Sequence, residues 1–355
     1  MDFITAKEAA KKWSITQRRV AILCYENRIE GAVFIGNMWL IPKASQKPED
    51  GRVTRFEPPS DMVVKPFLKW AGGKSQILEN IRNKYPAGLG TAIKKYAEPF
   101  VGGGAVLFDI LGRYNMKEVY ISDINKELVQ TYKFIRDNID QMIESLKLLE
   151  EQYFNADDNV RKEIYYTARD RFNVLKSMDV DSVELASLFI FLNRTCFNGL
   201  YRVNSHGAFN VPQGSYKNPT ICDERNLRAV SDNLQGVNIV CADYKDSYNF
   251  IDNNTFAYFD PPYRPLSATA SFTSYAENGF GDKDQAELAR FIDQLSEKGA
   301  YVVASNSDPK NVDTADDFFD RLYSRHTIVR ISASRAINSV GSSRGKINEL
   351  LIRAC

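Results

Sequence analysis

The sequence predicts an α/β protein whose main domain contains a mostly parallel sheet with helices on both faces. Apolar, strand-like runs alternate with helical patterns along the chain, and these runs are residues 94–100, 118–123, 237–243, 255–260 and 300–306. Between the last two runs, apolar residues recur at helical spacing from 284 to 296. This alternation is typical of parallel sheets, because each parallel crossover needs a connecting segment that is usually a helix.

Composition is that of an ordinary globular protein. The 355 residues are 44% hydrophobic and 26% charged, with a net charge of +1, which excludes a disordered or fibrous chain. No apolar run reaches the ~20 residues of a membrane span, and the N-terminus has no apolar signal core. We therefore expect a cytoplasmic protein without membrane contact. Five scattered cysteines lack any CxxC pair, so neither a disulfide framework nor a metal site is predicted.

Residues 1–45 predict a small domain of their own. Thr5 and Glu8 form a capping box that opens one helix, and Thr16 caps a second helix after a short link. Two apolar runs around a Gly-Asn turn then predict a β-hairpin. The pattern resembles winged helix-turn-helix domains of the excisionase and MerR type, with a small protein-binding module as the alternative. The resemblance implies DNA contacts at the start of the second helix, from Gln17, Arg18 and Arg19.

The rest of the chain divides by composition. Residues 46–65 are rich in proline, serine and charge without periodicity and predict a linker, so the second domain is expected at 66–355. Between about 131 and 230, long helical patterns precede a segment rich in Gly, Asn and Tyr, which predicts an inserted helical subdomain with a β-hairpin. A basic cluster within 321–346 indicates either a solvated face or nucleic-acid contact.

Two loops with binding chemistry follow the first two predicted strands. Glycines 102–104 open into a helix, so a ligand can lie against bare backbone and the helix N-terminal amides. Asp123 ends the next strand, where an acid can bond ribose hydroxyls. A dinucleotide fingerprint would need glycine at Leu107, and a P-loop would need glycine at Leu68. The pattern therefore favours a nucleoside-bearing cofactor other than NAD or ATP.

The strongest motif is Asp260-Pro261-Pro262-Tyr263, directly after an apolar strand. Two prolines cannot continue a sheet ladder, so the motif predicts a stiff loop at the strand's carboxyl end, where open α/β sheets bind ligands. Taken in order with FLKWAGGK (67–74), EPFVGGG (98–104), SDIN (122–125), NRTCFNGLYR (193–202) and GAFNVPQGSYKNP (207–219), it resembles the Dam-type DNA adenine-N6 methyltransferases of the D12 class. The resemblance covers residues 66–355.

The resemblance implies a Rossmann-like methyltransferase sheet. It also implies an enzyme that transfers the methyl group of S-adenosylmethionine to N6 of a flipped adenine in duplex DNA, within the sequence GATC. Adenine N6 is a poor nucleophile because its lone pair is delocalised into the ring. If the Asp260 carboxylate and the Pro261 carbonyl each accept one N6–H, the lone pair is freed for attack. Pro262 helps to fix the carbonyl direction, and Tyr263 can stack on the flipped base.

The implied cofactor pocket combines one cation, several acids and aromatic rings. Lys74 would face the methionine carboxylate, Asp123 the ribose and Asp243 the adenine amino group, although a plain strand-end cap is the alternative for Asp243. Phe100 or Tyr244 offers an aromatic face. The full set transferred from the family is Trp70, Ala71, Lys74, Glu98, Phe100, Gly102, Gly104, Asp123, Asp243, Tyr244 and Asp260.

The Gly, Asn and Tyr-rich segment resembles the family's target-recognition hairpin. Arg202 can donate two hydrogen bonds to guanine O6 and N7, and Leu200 and Pro212 can meet a thymine methyl. Phe197 and Asn198 lie where the family inserts a side chain into the gap left by the flipped base, and phenylalanine stands here in place of the more usual tyrosine. Ordinary hairpin packing is the alternative for the aromatic residues.

Two other functions stay open from the sequence. Cytosine-N4 methylation could use the same loop, and a DNA-binding regulator could retain the methyltransferase fold only as a scaffold. Double-stranded DNA is the expected partner, a cognate restriction endonuclease is a candidate partner, and the oligomeric state is left open. Residues 277–282 are expected to fold over the bound ligands.

Overall fold

The computed structural model describes residues 2–13, 15–25, 28–35, 38–48, 64–264, 280–334 and 346–354. The chain divides into two compact units, Met1–Glu57 and Pro58–Cys355. Across the described ranges, no helix combines the length and the apolar character needed to cross a membrane.

The N-terminal unit contains two short helices and a three-stranded antiparallel sheet. Its elements are β1 (Phe3–Thr5), α1 (Ala6–Trp13), α2 (Gln17–Tyr25), β2 (Val33–Ile35) and β3 (Met38–Pro42), with β3 central in the sheet. The predicted capping box is confirmed, since the Thr5 amide donates to Glu8 Oε2 at 2.7 Å and the Glu8 amide donates to Thr5 Oγ1 at 3.3 Å. Strand β1 was not predicted, and the Gly-Asn turn at 36–37 lies outside the described residues.

The second unit begins its regular structure with a single 3₁₀ turn, Lys74–Gln76. Its helices are α3 (Leu78–Arg82), α4 (Ala105–Arg113), α5 (Lys126–Asp137), α6 (Ile139–Phe154), α7 (Asp158–Ser177), α8 (Val183–Thr195), α9 (Glu224–Asn233), α10 (Asp282–Glu297) and α11 (Phe318–Leu322). Its strands are β4 (Lys95–Glu98), β5 (Glu118–Asp123), β6 (Asn238–Cys241), β7 (Thr255–Phe259), β8 (Tyr301–Ser307), β9 (Thr327–Ser334) and β10 (Lys346–Ala354).

The seven strands of this unit form one sheet in the order β6-β5-β4-β7-β8-β10-β9. The first five in this order are parallel, and β10 is antiparallel to both β8 and β9. This confirms the predicted α/β architecture with a mostly parallel sheet, including all five predicted strands and the helix at 284–296. The strand order reverses between β4 and β7, which is where open α/β sheets form their binding crevice.

Five helices and an irregular segment, residues 196–223, connect β5 to β6. Buried residues of α6, α7 and α8, such as Tyr153, belong to the same hydrophobic core as the neighbouring strands. Within the irregular segment, an antiparallel bridge pairs Val203 with Phe209. These elements occupy the predicted insert at about 131–230, and their assignment to a separate target-recognition subdomain stays a prediction.

Strands β9 and β10 were not predicted, because their residues mix charged with apolar side chains and overlap the basic cluster within 321–346, which contributes Arg330 and Lys346 to them. In this cluster, Arg330 pairs with Asp308 at 2.9 Å and with Asp320 at 2.7 Å. These internal ion pairs favour a structural role for Arg330 over contact with nucleic acid. Part of the cluster lies outside the described residues.

Candidate active site

Strands β4, β5, β6 and β7 each carry an acidic side chain at the carboxyl edge of the sheet, on either side of the point where the strand order reverses. Each strand places one acid at or just beyond its last residue, because the strand directions are the same and their ends meet at one edge. The four are Glu98 on β4, Asp123 on β5, Asp243 after β6 and Asp260 after β7.

Asp260 is held by one cation and one hydroxyl group. Lys74 Nζ lies 2.8 Å from Asp260 Oδ2, and Ser305 Oγ donates to Asp260 Oδ1 at 2.8 Å. The Lys74 side chain is only 4% exposed, whereas that of Asp260 is 20% exposed. Burial raises the pKa of Asp260, and the bonds from Lys74 and Ser305 act against that rise. The carboxylate is therefore oriented at both oxygens while remaining open to a ligand.

The rest of the Asp-Pro-Pro-Tyr loop is hydrogen-bonded to helix α10 and strand β10. Gln285 Nε2 donates to the Pro262 carbonyl at 3.0 Å, and the Tyr263 hydroxyl donates to Glu349 Oε2 at 2.8 Å. Lys74 Nζ lies 4.6 Å from the centre of the Tyr263 ring, within cation–π range. Side-chain contacts therefore hold the loop at Asp260, Pro262 and Tyr263, in agreement with the stiff loop that two prolines predict.

Asp123 joins the end of β5 to the glycine-rich loop. Its Oδ2 accepts the Gly102 amide at 3.1 Å, and its Oδ1 accepts the Asn125 amide at 2.9 Å. Burial raises the pKa of Asp123 despite these bonds. Two oxygens offer about four acceptor positions, so the carboxylate keeps acceptor capacity for hydroxyl groups of a ligand.

The glycine-rich loop is crowded by the protein's own aromatic side chains. Gly104 has φ +73°, and a Cβ atom there would lie 2.5 Å from Tyr132 Oη. At Gly102, with φ +47°, a Cβ atom would lie 2.8 Å from the Trp70 ring. The Tyr132 hydroxyl also donates to the Gly102 carbonyl at 3.0 Å. Packing as well as ligand approach therefore requires glycine at both positions.

Aromatic rings line the edge between β4 and β6. The Phe100 and Tyr244 rings are stacked with centroids 5.4 Å apart, and Phe280 meets Phe100 edge-on at 5.9 Å. Asp243 is exposed, and its side chain accepts the Lys245 amide at 3.0 Å as the N-cap of a 3₁₀ turn, Tyr244–Asn249. Asp243 therefore acts as a strand-end cap in this structure, which was the alternative interpretation. A contact between Asp243 and the adenine of the cofactor stays a prediction.

Two other residues of the predicted cofactor set differ in accessibility. Glu98 is 2% exposed, and its Oε2 accepts the Tyr96 hydroxyl at 2.7 Å. Burial raises the pKa of Glu98 well above its ordinary value. Ala71, by contrast, is partly exposed, three residues before Lys74. Direct ligand contact is therefore easier to reconcile with Ala71 than with Glu98.

The predicted DNA-contacting segment presents several of its residues to solvent. Phe197 is 50% exposed, Asn198 adopts the left-handed region with φ +55°, and the Phe197 amide donates to the Pro212 carbonyl at 2.9 Å. The exposed Arg202 donates from Nε to Asn210 Oδ1 at 2.7 Å, while Leu200 is half-buried.

In the N-terminal unit, Gln17 is exposed at the start of α2. The side chains of Arg18 and Arg19 lie outside the described residues.

Asn193 connects the two motif segments that the sequence could only list in order. Its Oδ1 accepts the Lys69 amide at 2.8 Å, and its Nδ2 donates to the carbonyls of Lys69 at 2.7 Å and Gly199 at 3.0 Å. The adjacent Trp70 ring lies 6.2 Å from that of Tyr201 and nearly parallel to it. The predicted cofactor segment and the predicted DNA-contacting segment are therefore in direct contact.

The residues at this edge fit S-adenosylmethionine in their chemistry. An ammonium group has three donors, and Lys74 uses two of them on Asp260 and on the Gly72 carbonyl at 2.5 Å, which leaves one for a carboxylate. Asp123 has free acceptor positions for ribose hydroxyls, and the half-buried Phe100 ring, stacked on the buried Tyr244, offers an apolar face for adenine.

Sequence reasoning missed Ser305, Gln285 and Glu349, which hold the Asp-Pro-Pro-Tyr loop. One signal was available for Gln285, since it is a polar residue on the apolar face of α10, on the same side as Leu288 and Ile292, and it is fully buried. Ser305 and Glu349 lie in strands where a polar residue is common, so the sequence carries no signal of their contacts with the loop.

Comparison with known proteins identifies the family. A model of the D12 class N6 adenine-specific DNA methyltransferases matches residues 70–337. The chain is 50% identical over 293 residues to the Type II methyltransferase M.MjaIII of Methanocaldococcus jannaschii, which covers 82% of this chain and 99% of that protein. It is 36% identical over 285 residues to the DNA adenine methylase of Escherichia coli K12, covering 80% of this chain and 93% of the other.

Among solved structures, a precorrin-8W decarboxylase of Methanobacterium thermoautotrophicum aligns with 83% of this chain and 100% of its own, at TM-score 0.32 and 11% identity. That TM-score supports no functional conclusion. The family model, by contrast, spans the glycine-rich loop, Asp123 and the Asp260 loop together. The chain therefore belongs to the D12 class of N6 adenine-specific DNA methyltransferases.

Proposed function

We propose that this adenine-specific DNA methyltransferase activates its target adenine with Asp260 and Pro261, and that it acts at GATC. The observation that carries the proposal is the Asp260 carboxylate, bonded to Lys74 and Ser305 and still 20% exposed at the carboxyl edge of the sheet. An ionised carboxylate there can accept one N6–H, and the Pro261 carbonyl can accept the other. Both acceptors also stabilise the positive charge that develops on N6.

S-adenosylmethionine, when bound, supplies the methyl group. Lys74 would bind its carboxylate, Asp123 its ribose hydroxyls, and Phe100 with Tyr244 its adenine ring. The Tyr263 ring, at the end of the loop, would stack on the flipped base. Since the family is adenine-specific, the cytosine-N4 alternative is set aside. The intact Asp260, Asp123 and glycine-rich loop argue against an inactive scaffold. A cognate restriction endonuclease is not part of the proposal.

GATC specificity rests on the resemblance of residues 193–219 to the family's recognition hairpin, and Arg202 is its proposed guanine reader. Single-molecule sequencing of a methylation-free bacterial genome that expresses the wild type should find methyl-adenine confined to GATC. Arg202→Ala should lose ~1 to 3 kcal/mol of discrimination at one base pair, seen as methylation at sites that differ from GATC at that position.

Arg171→Ala is the matched control, because Arg171 is also exposed and bonds only Glu184, at 2.7 Å, among the contacts described. It should leave the methylation pattern unchanged. A wild-type pattern on another motif would discard GATC while keeping the chemistry, and an unchanged pattern in Arg202→Ala would remove Arg202 as a reader.

The N-terminal unit is proposed to add DNA affinity as a winged helix-turn-helix domain. Its two helices and antiparallel hairpin support this proposal, as does the exposed Gln17 at the start of α2. A chain reduced to residues 58–355, the second compact unit, should bind duplex DNA more weakly with an almost unchanged single-turnover rate at saturating DNA.

Fluorescence anisotropy and a methyl-transfer assay on the same duplex measure these two quantities. Equal DNA affinity in both chains would remove the proposed role. An inactive but folded truncation would instead show that the N-terminal unit takes part in the chemistry.

A further inference from the structure

The loop that carries Asp260 is supported by two buried side chains outside the Asp-Pro-Pro-Tyr motif. Ser305, on β8, is 1% exposed and donates to Asp260 Oδ1 at 2.8 Å. Gln285, on α10, is 0% exposed and donates to the Pro262 carbonyl at 3.0 Å. One contact fixes the carboxylate and the other fixes the backbone two residues further on.

The contact from Ser305 has a direction that follows from counting protons. Ser305 has one hydroxyl proton, which it donates to Asp260. The hydroxyl of the fully buried Tyr258 lies 3.0 Å from Ser305 Oγ and must then be the donor in that pair. The result is a chain of donors from Tyr258 through Ser305 to the Asp260 carboxylate.

The contact from Gln285 is oriented in the same way. Its Oε1 accepts from Asn306 Nδ2 at 3.0 Å, so its Nε2 is free to donate to Pro262. Asn306 is itself fixed, because its Oδ1 accepts the Ser307 amide at 2.9 Å. This bond uses the Pro262 carbonyl and not that of Pro261, so it does not compete with the target amine for an acceptor.

We propose that Ser305 and Gln285 are positioning residues for adenine-N6 methylation. Ser305 sets the rotation of the Asp260 carboxylate about its side chain, and Gln285 sets the course of the loop that aims the Pro261 carbonyl. This inference rests on the proposed role of Asp260. Geometry of this kind matters because an acceptor displaced by a fraction of an ångström no longer meets the N6–H bond.

A positioning role and a merely structural role differ in their effect on pH dependence. The ionisable groups that interact with Asp260 are Lys74, Glu98, Tyr258 and Tyr263, and Glu349 accepts a hydrogen bond from Tyr263. Loss of the Ser305 hydroxyl removes a donor to the carboxylate and so raises the pKa of Asp260 further. Because the carboxylate is the active form, the acidic limb of the rate profile should move to higher pH.

Ser305→Ala should therefore lower the single-turnover rate at neutral pH by about 10-fold or more, the cost of one hydrogen bond to a charged group, and should shift the acidic limb upward. Ser307→Ala is the matched control. Ser307 lies two residues along the same strand, and its buried hydroxyl has no hydrogen-bond partner among the described residues. This variant should leave both the rate and the pH profile unchanged.

Gln285→Met should lower the single-turnover rate by roughly 10-fold without moving the acidic limb, because Gln285 does not contact the carboxylate. Gln294→Met, at an exposed position of the same helix, is its control. For every variant, calorimetric titration with S-adenosylmethionine and anisotropy with duplex DNA should give dissociation constants within about twofold of wild type.

The outcomes separate this inference from the proposed function. Full activity in Asp260→Ala would overturn the role of Asp260 itself. An inactive Asp260→Ala together with a Ser305→Ala variant that matches Ser307→Ala in rate and pH profile would overturn only the positioning role of Ser305. Equal rates in Gln285→Met and Gln294→Met would do the same for Gln285. A variant that loses cofactor binding and thermal stability along with its rate would show a structural role instead.

Discussion

Asp260→Ala is expected to lower the single-turnover rate of adenine methylation by about 100-fold or more, the usual effect of removing one group aimed at developing charge. In the proposed mechanism, the variant loses the acceptor for one N6–H and the negative charge that would stabilise the developing cation. It also leaves the buried Lys74, 2.8 Å away, without its carboxylate partner. Methyl transfer from S-adenosylmethionine to a GATC duplex measures the rate, and anisotropy should show DNA affinity nearly unchanged.

Asp252→Ala is the matched control for this result. Asp252 pairs with Lys95 at the same distance, 2.8 Å, but at the opposite end of strands β4 and β7. This variant should keep the wild-type rate. Asp260→Asn should fall between the two, because it keeps an acceptor oxygen and loses the charge. A wild-type rate in Asp260→Ala would contradict the proposed mechanism.

Lys74→Met should produce the second large loss, with a different pH dependence. Lys74 lowers the pKa of Asp260 against the effect of burial, so its removal raises that pKa. The active carboxylate then forms only at higher pH, and the rate at neutral pH should fall by ~10-fold or more. Part of the rate should return as the pH is increased, while affinity for S-adenosylmethionine should fall at every pH because the methionine carboxylate would lose the partner proposed for it.

The first effect is measured as the dependence of the rate on pH from about 5 to about 10, a range chosen to include the ionisation of Asp260. Calorimetric titration with S-adenosylmethionine measures the second. Lys95→Met removes the matching lysine from the pair at the other end of the sheet and should change neither quantity. A flat loss of rate, with no recovery at alkaline pH, would show that Lys74 does not act through the ionisation of Asp260.

Five strands of the sheet were predictable because they read as apolar runs in the sequence. Strand β7, Thr255–Phe259, has four apolar residues after one threonine, and all five of its residues are buried. The pattern fails for β9 and β10, which mix basic and apolar residues at the antiparallel side of the sheet. Helix α3, with only five residues, is too short to show a helical period.

The site was predictable as a set of motifs but not as a set of contacts. Asp260 and Asp123 could be placed at strand ends because short motifs follow apolar runs. The pairing of Lys74 with Asp260 joins residues that are distant in sequence, and only the tertiary fold brings them together. Ser305 and Gln285, which support the loop, lie on a strand and a helix that would form equally well with other residues at these positions. The local sequence therefore does not reveal their role.

The position of β10 has a consequence for the order in which the protein can assemble. β10 comes after β8 and β9 in the chain but lies between them in the sheet, so those two strands have no common partner until residues 346–354 have left the ribosome. It also carries Glu349, the acceptor for Tyr263. A growing chain can therefore pair the parallel strands early, but the hydrogen bond from Tyr263 to Glu349 can form only after β10 has been synthesised.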